Sequence, residues 1–141
     1  MRLCVIDGRG GGLGRRLVAG LHTELGRRHV IIALATNVAA AEAMKAAGAS
    51  SVGVGAQAIA QTVADVDVIV TSLNLVLPGA MLGEVTSDIA EAILAARATK
   101  VLLPINRARL EIVGSEDQTL DALIARSLTR VTSLVAAAHH M

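Results

Sequence analysis

The 141-residue sequence predicts a three-layer α/β fold: a doubly wound parallel sheet of about five parallel strands plus a short antiparallel edge strand. Three observations predict it. Apolar runs without alternation, above all Val30-Ile31-Ile32-Ala33-Leu34-Ala35, suit strands covered on both faces. Segments with leucine, alanine or isoleucine at helical spacing separate these runs, so strand and helix alternate along the chain. The first run, Cys4-Val5-Ile6-Asp7, breaks into Gly8-Arg9-Gly10-Gly11-Gly12-Leu13-Gly14 and restarts as an amphipathic helix. Strand, glycine loop, helix is the order in which backbone amides and a helix N-terminus meet a phosphate.

Each element follows from its residues. Strand one is Arg2–Asp7, and the helix after the loop carries Leu13, Leu17, Leu21 and Leu25 on one face, with Gly26 closing it. Residues 29–35 are the second strand. Asn37 caps a helix over 38–47, which Gly48 ends. Ser51–Val54 is a brief third strand, and Gly55 leads into a helix over 57–64. Residues 67–72 form the fourth strand, whose carboxyl end runs into Thr71-Ser72-Leu73-Asn74, where ligands of open α/β sheets sit.

Residues 75–83, Leu-Val-Leu-Pro-Gly-Ala-Met-Leu-Gly, are apolar but broken by Pro78, Gly79 and Gly83, and are expected to cover the ligand crevice or another subunit. Glu84 follows, a candidate acid or base beside an apolar loop or a charge at the next helix's start. Thr86 or Ser87 caps that helix, which runs to Arg97. Residues 100–105 are the fifth strand, with Pro104 near its end. Asn106-Arg107-Ala108-Arg109 then turns into 110–113, a link too short for a parallel crossover, so an antiparallel edge strand is expected there. The last helix covers 118–138.

Length bounds this to one domain over residues 1–141. Apolar residues make up 53% while Phe, Tyr and Trp are absent. So much aliphatic side chain in a small chain points to a homodimer or higher homo-oligomer. A net charge of +1 and the lack of stacking side chains argue against nucleic-acid binding. No stretch is long and apolar enough for a signal peptide or a membrane span, which with a single cysteine, Cys4, indicates the cytoplasm. No metal-ligand cluster stands out.

Spacing sorts the templates for the glycine loop. G-x-G-x-x-G fails because Leu13 stands where the third glycine belongs, whereas G-x-x-x-G-x-G fits Gly8, Gly12 and Gly14. The Walker loop lacks its lysine and hydroxyl, with Arg15 and Arg16 in their places. The cofactor-binding candidates are Asp7, Gly8, Arg9, Gly10, Gly11, Gly12, Leu13 and Gly14, with Thr36 and Asn37 at the end of strand two and Ser72 and Asn74 at the end of strand four. At the end of strand two an acidic residue would grip the ribose of NAD. Its absence leaves room for NADP, with Arg9 meeting the 2′-phosphate, beside NAD or another nucleotide. Arg15, Glu84, Asn106, Arg107 and Arg109 are the anion or substrate candidates, the guanidinium groups suiting phosphate or carboxylate.

Ile6-Asp7-Gly8-Arg9-Gly10-Gly11-Gly12-Leu13-Gly14, Ala33-Leu34-Ala35-Thr36-Asn37, Met81-Leu82-Gly83-Glu84, and Ile105-Asn106-Arg107 with Glu111-Ile112-Val113-Gly114 resemble a family of small bacterial proteins of unknown function with a Rossmann-like NAD(P)-binding fold. The resemblance spans nearly the whole chain. In that family the glycine loop is commonly followed by Lys, and here Arg15 stands instead. The resemblance implies nucleotide binding by fold and supplies no activity.

A stand-alone NAD(P)- or other nucleotide-binding module, holding a diphosphate at residues 8–14, is therefore the leading expectation. An oxidoreductase would need non-tyrosine chemistry, because the chain has no tyrosine for a Tyr-x-x-x-Lys acid and base. A deviant P-loop-like nucleotide hydrolase is the further alternative.

Overall fold

The computed structural model of the chain describes residues 1–105, 110–115 and 118–139. Its elements run β1 (Arg2–Asp7), α1 (Gly12–Leu25), β2 (Val30–Ala35), α2 (Val38–Ala46), β3 (Ser51–Val54), α3 (Ala56–Val63), β4 (Val68–Ser72), α4 (Ser87–Ala95), β5 (Thr99–Leu103) and α5 (Leu120–His139), with short 3₁₀ turns at Gly26–Arg28 and Leu73–Val76. The five strands are all parallel, in the order β3-β2-β1-β4-β5.

Alternation along β1 divides the core into two layers. Leu3 and Val5 face α1, α2 and α5, with Leu17, Leu21, Met44, Val131 and Val135, while Cys4 and Ile6 face α3 and α4, with Ile59, Val63, Ile89 and Ile93. Helices on both faces explain why the strands read as unbroken apolar runs. Cys4 is fully buried, and burial pushes its thiol pKa up to about 12. Among the described residues, no helix is long and apolar enough to cross a membrane.

The local signals act as expected at most boundaries. Gly26 has φ 63° and its amide returns to the His22 carbonyl, ending α1. Asn37 accepts from the Ala40 amide at 2.9 Å and Thr86 from the Ile89 amide at 3.3 Å, capping α2 and α4. The antiparallel edge strand over 110–113 is a correction: these residues take no strand conformation. The Ser115 amide and hydroxyl both bond the Ile112 carbonyl, at 3.0 and 2.7 Å, closing a turn at Val113 and Gly114 that leaves Val113 92% exposed. Strand β5 also stops at Leu103, where Pro104 can supply no ladder N–H and the Ile105 amide turns back to the Leu103 carbonyl at 2.9 Å.

The order of winding reverses between β1 and β4. The connection from β1 goes outward to β2, and the chain returns through α3 to β4 on the opposite side, so a crevice opens above the carboxyl ends of these two strands.

Candidate functional site

That crevice contains a hollow of about 170 Å³ walled by the glycine loop from Asp7 to Leu13, by Ser72 and Asn74 after β4, and by Met81 and Ile105. The structure thus brings together nine of the sequence candidates from two separate stretches. Arg2–Asp7 lies in the middle of the sheet, which fixes where the loop begins.

The loop is shaped by its glycines and by one acid. Gly11, at φ 73°, is the N-cap of α1, and a Cβ there would lie 2.9 Å from the Ala40 Cα, so the absent side chain lets α1 start against α2. Asp7 is 4% exposed, and its two oxygens accept from the Gly8 amide at 2.8 Å and the Gly14 amide at 2.6 Å. The Gly11 amide returns to the Gly8 carbonyl at 3.0 Å. Amides of Gly10, Gly12 and Leu13 have no partner among the described residues, and the N-cap position offers α1 no side-chain acceptor. A Cβ on Gly10 or Gly12 would meet nothing within 4 Å, so this end of the helix opens into space.

The far wall is a demand of the opposite sign. Ser72 Oγ accepts from the Asn74 amide at 3.1 Å, an ordinary turn that presents the Asn74 side chain. Asn74 is 6% exposed and donates through Nδ2 to the Ile105 carbonyl at 3.3 Å, which fixes its amide orientation. Its Oδ1 is buried with no hydrogen-bond partner among the described residues. A buried acceptor left unmatched costs roughly 1–3 kcal/mol.

Residues 77–85 form the roof. The Gly79 amide bonds the Val85 carbonyl at 2.7 Å, pinching the ends of a tight excursion in which Met81 and Leu82 both hold φ 56°. Consecutive left-handed non-glycine residues carry backbone strain. Met81 lies against the glycine loop, since a Cβ on Gly8 would come 2.8 Å from its sulfur. The stretch therefore covers the crevice, as its composition suggested.

Glu84 ends the roof and does not serve the start of α4. Its Oε1 accepts from the Thr36 hydroxyl at 2.5 Å, the Asn37 Nδ2 at 3.0 Å and the Arg9 amide at 3.0 Å. Asn37 Nδ2 also donates to the Arg9 carbonyl at 2.8 Å. Thr36, Asn37 and Glu84 do not line the hollow; Glu84 is tied to its wall through the Arg9 amide. The two carboxyls differ in character. Burial pushes the Asp7 pKa up against the pull of the Gly14 and Gly8 amides, whereas the Thr36 hydroxyl and the Arg9 amide draw the Glu84 pKa down. Sequence reasoning placed an acid at neither the end of β2 nor the loop's rim, because Glu84 arrives from 47 residues away. Glu84 was a candidate from its place after the odd loop; the signal for its partners is polar Thr36 and Asn37 where an acid is missing.

Other candidates are not brought in. Arg16 pairs with Asp121 at 2.7 Å across to α5, and Arg15 is exposed beside Ala43 and Ala47 between α1 and α2, outside the hollow. Asn106, Arg107 and Arg109 lie outside the described residues. No cluster of three or more metal-ligating side chains forms among the described residues.

The sequence profile of a domain of unknown function, DUF3842, matches residues 2–136. No curated protein matches the chain. Among solved structures, the dodecameric FMN-dependent UbiX-like decarboxylase from Escherichia coli O157:H7 is similar at TM-score 0.54 and 14% identity, the match covering 96% of this chain and 94% of that one. At that identity the likeness concerns the fold, a parallel sheet flanked by helices on both faces.

Proposed function

We propose, for a chain that belongs to the DUF3842 family of domains of unknown function, a nucleotide-binding module that seats the phosphate of its ligand on the glycine loop. One juxtaposition carries the reading. The unpartnered amides of Gly10, Gly12 and Leu13 at an open helix N-terminus border the same hollow as the buried, unmatched Asn74 Oδ1. The first group calls for an anion, helped by the helix dipole; the second calls for a hydroxyl or N–H donor. A phosphate ester of a sugar supplies both.

Size narrows the ligand. At about 170 Å³ the hollow is well below the roughly 300–1,000 Å³ that encloses a whole drug-sized ligand, so a phosphate and part of its sugar are enclosed and the base lies in the open crevice. NAD or NADP is the ligand that the first crossover supports by its position. FMN enters because the UbiX-like decarboxylase of similar fold is FMN-dependent. With Phe, Tyr and Trp absent, a flavin or adenine ring would rest on aliphatic side chains or backbone.

A binding or regulatory module is favoured over the two enzymatic alternatives by how the charged groups are spent. Both Asp7 oxygens hold loop amides, no tyrosine exists to replace them as acid and base, and neither Arg15 nor Arg16 stands where a hydrolase needs its cation. Self-association is the companion proposal, supported by exposed Leu94, Val113, Leu120 and Leu82.

Isothermal titration of the chain with FMN, ADP, NAD and NADP tests the seat. Saturable binding of at least one is expected, and Gly12→Val should remove it while leaving Tm unchanged, since a side chain at Gly12 meets open space in the free protein. Absence of binding by all four would overturn the proposal.

A further inference from the structure

We infer that Glu84, delivered by the β4–α4 connection, is the carboxylate that receives the ribose hydroxyls of the ligand, so that the site selects a nucleotide with a free 2′-hydroxyl over one bearing a 2′-phosphate. This deepens the nucleotide-binding reading above and rests on it. In crossover folds of this kind the residue that grips the ribose stands at the end of the second strand. Here that place is Ala35-Thr36-Asn37, with no acid in the sequence. The structure nevertheless puts a carboxylate there, because Thr36 and Asn37 are both donors to Glu84 Oε1.

Geometry gives that carboxylate a fixed position and a spare oxygen. Oε1 is taken by Thr36, Asn37 and the Arg9 amide, which ties it to the glycine loop itself. Oε2 has no partner among the described residues, and the side chain is part-exposed rather than sealed under the roof. An ionised carboxylate accepts and cannot donate, so a vicinal diol suits it and a phosphate repels it. Arg9 is the counter-candidate, a guanidinium next to the same carboxylate that could meet a 2′-phosphate. Its side chain is exposed and makes no hydrogen bond or ion pair among the described residues, whereas Glu84 is held by three donors. The immobilised group sets the preference. It also reverses what the sequence suggests: the acid missing from β2 is restored from the other half of the sheet.

Titration of the chain with ADP, 2′-deoxy-ADP, NAD and NADP tests this. Wild type should bind ADP about 2–10-fold more tightly than 2′-deoxy-ADP, the worth of one hydrogen bond, and NAD at least about tenfold more tightly than NADP. In Glu84→Gln, which keeps the acceptor at Oε1, both ratios should fall toward one. Equal binding of NAD and NADP by wild type, or a preference for NADP, overturns the inference and leaves the phosphate seat standing. Binding of FMN in the earlier titration, with none of these four adenine nucleotides binding, does the same. No binding of any nucleotide removes the seat as well. Should Glu84→Gln fail to fold, the wild-type ratios decide alone.

Discussion

Asp7 Oδ2 and the Gly14 amide lie 2.6 Å apart across the base of the glycine loop, so a single buried carboxylate ties the end of β1 to the first turn of α1. The bond requires that position 14 carry no side chain. A Cβ there would come 2.6 Å from the Met44 sulfur and 2.8 Å from the Asp7 Cβ. Methionine can swing aside, but the Asp7 Cβ is fixed to the central strand. An alanine in a helix normally gains about 1 kcal/mol over glycine, and crowding of a packed site costs about 1–3 kcal/mol. Crowding wins. Gly14→Ala is expected to lower the unfolding free energy in urea by up to about 2 kcal/mol. An unchanged midpoint would show that the loop is not clamped by Asp7.

The carboxyl of Glu84 gives a pH signature. Its donors Thr36, Arg9 and Asn37 hold its pKa below the ordinary 4.5. A carboxyl whose pKa is depressed by folding stabilises the fold fully above its unfolded pKa and loses that contribution as pH falls through the folded value. The stability advantage of wild type over Glu84→Gln should therefore be constant near neutrality and narrow once pH drops below 4.5. Asp7, raised by burial, has the opposite sign, but it is present in both proteins and largely cancels. Urea titrations at a series of pH values check this, and a gap that holds in acid would mean that Glu84 is not kept ionised.

What could be read ahead of the structure was whatever is local. The strand of Val30–Ala35, the caps Asn37 and Thr86, the stop at Gly26 and the glycine loop each carry their cause within a few residues. The position of the site followed from topology, since alternating strands and helices leave few ways to wind a parallel sheet. Glu84 stood out as a candidate carboxylate, but its place beside Thr36 and Asn37 was illegible because its three donors lie 47, 48 and 75 residues away and no spacing rule links them. The edge strand failed for the opposite reason. An apolar Leu110-Glu111-Ile112-Val113 has strand composition, but the turn that Ser115 closes on Ile112 stops it pairing with β5.

Arg16 gives a control for the site. At a helix start a cation is unfavourable unless an anion is near, and its anion is Asp121 rather than a ligand. Both side chains are largely solvated, so the pair is worth at most about 1 kcal/mol. Arg16→Ala should leave nucleotide affinity within about twofold of wild type, and Arg15→Ala likewise, since Arg15 does not line the hollow. A tenfold loss in either titration would return a guanidinium to the phosphate seat.

Asn74 separates stability from function most sharply. Its Oδ1 is buried without a partner among the described residues, at a cost of about 1–3 kcal/mol. Its one side-chain bond, to the Ile105 carbonyl, is long at 3.3 Å and contributes little. Asn74→Ala removes the unmatched acceptor together with that weak bond, at the expense of a small cavity. Folding free energy should therefore change by less than about 1 kcal/mol, far below the usual loss for a buried polar residue. Nucleotide affinity should fall about 2–10-fold, because the ligand hydroxyl that Oδ1 accepts from has nowhere else to go. Paired calorimetry and urea titration on the same variant check both halves. A variant that loses several kcal/mol of stability while binding as before would make Asn74 a structural residue whose unmatched oxygen serves no ligand.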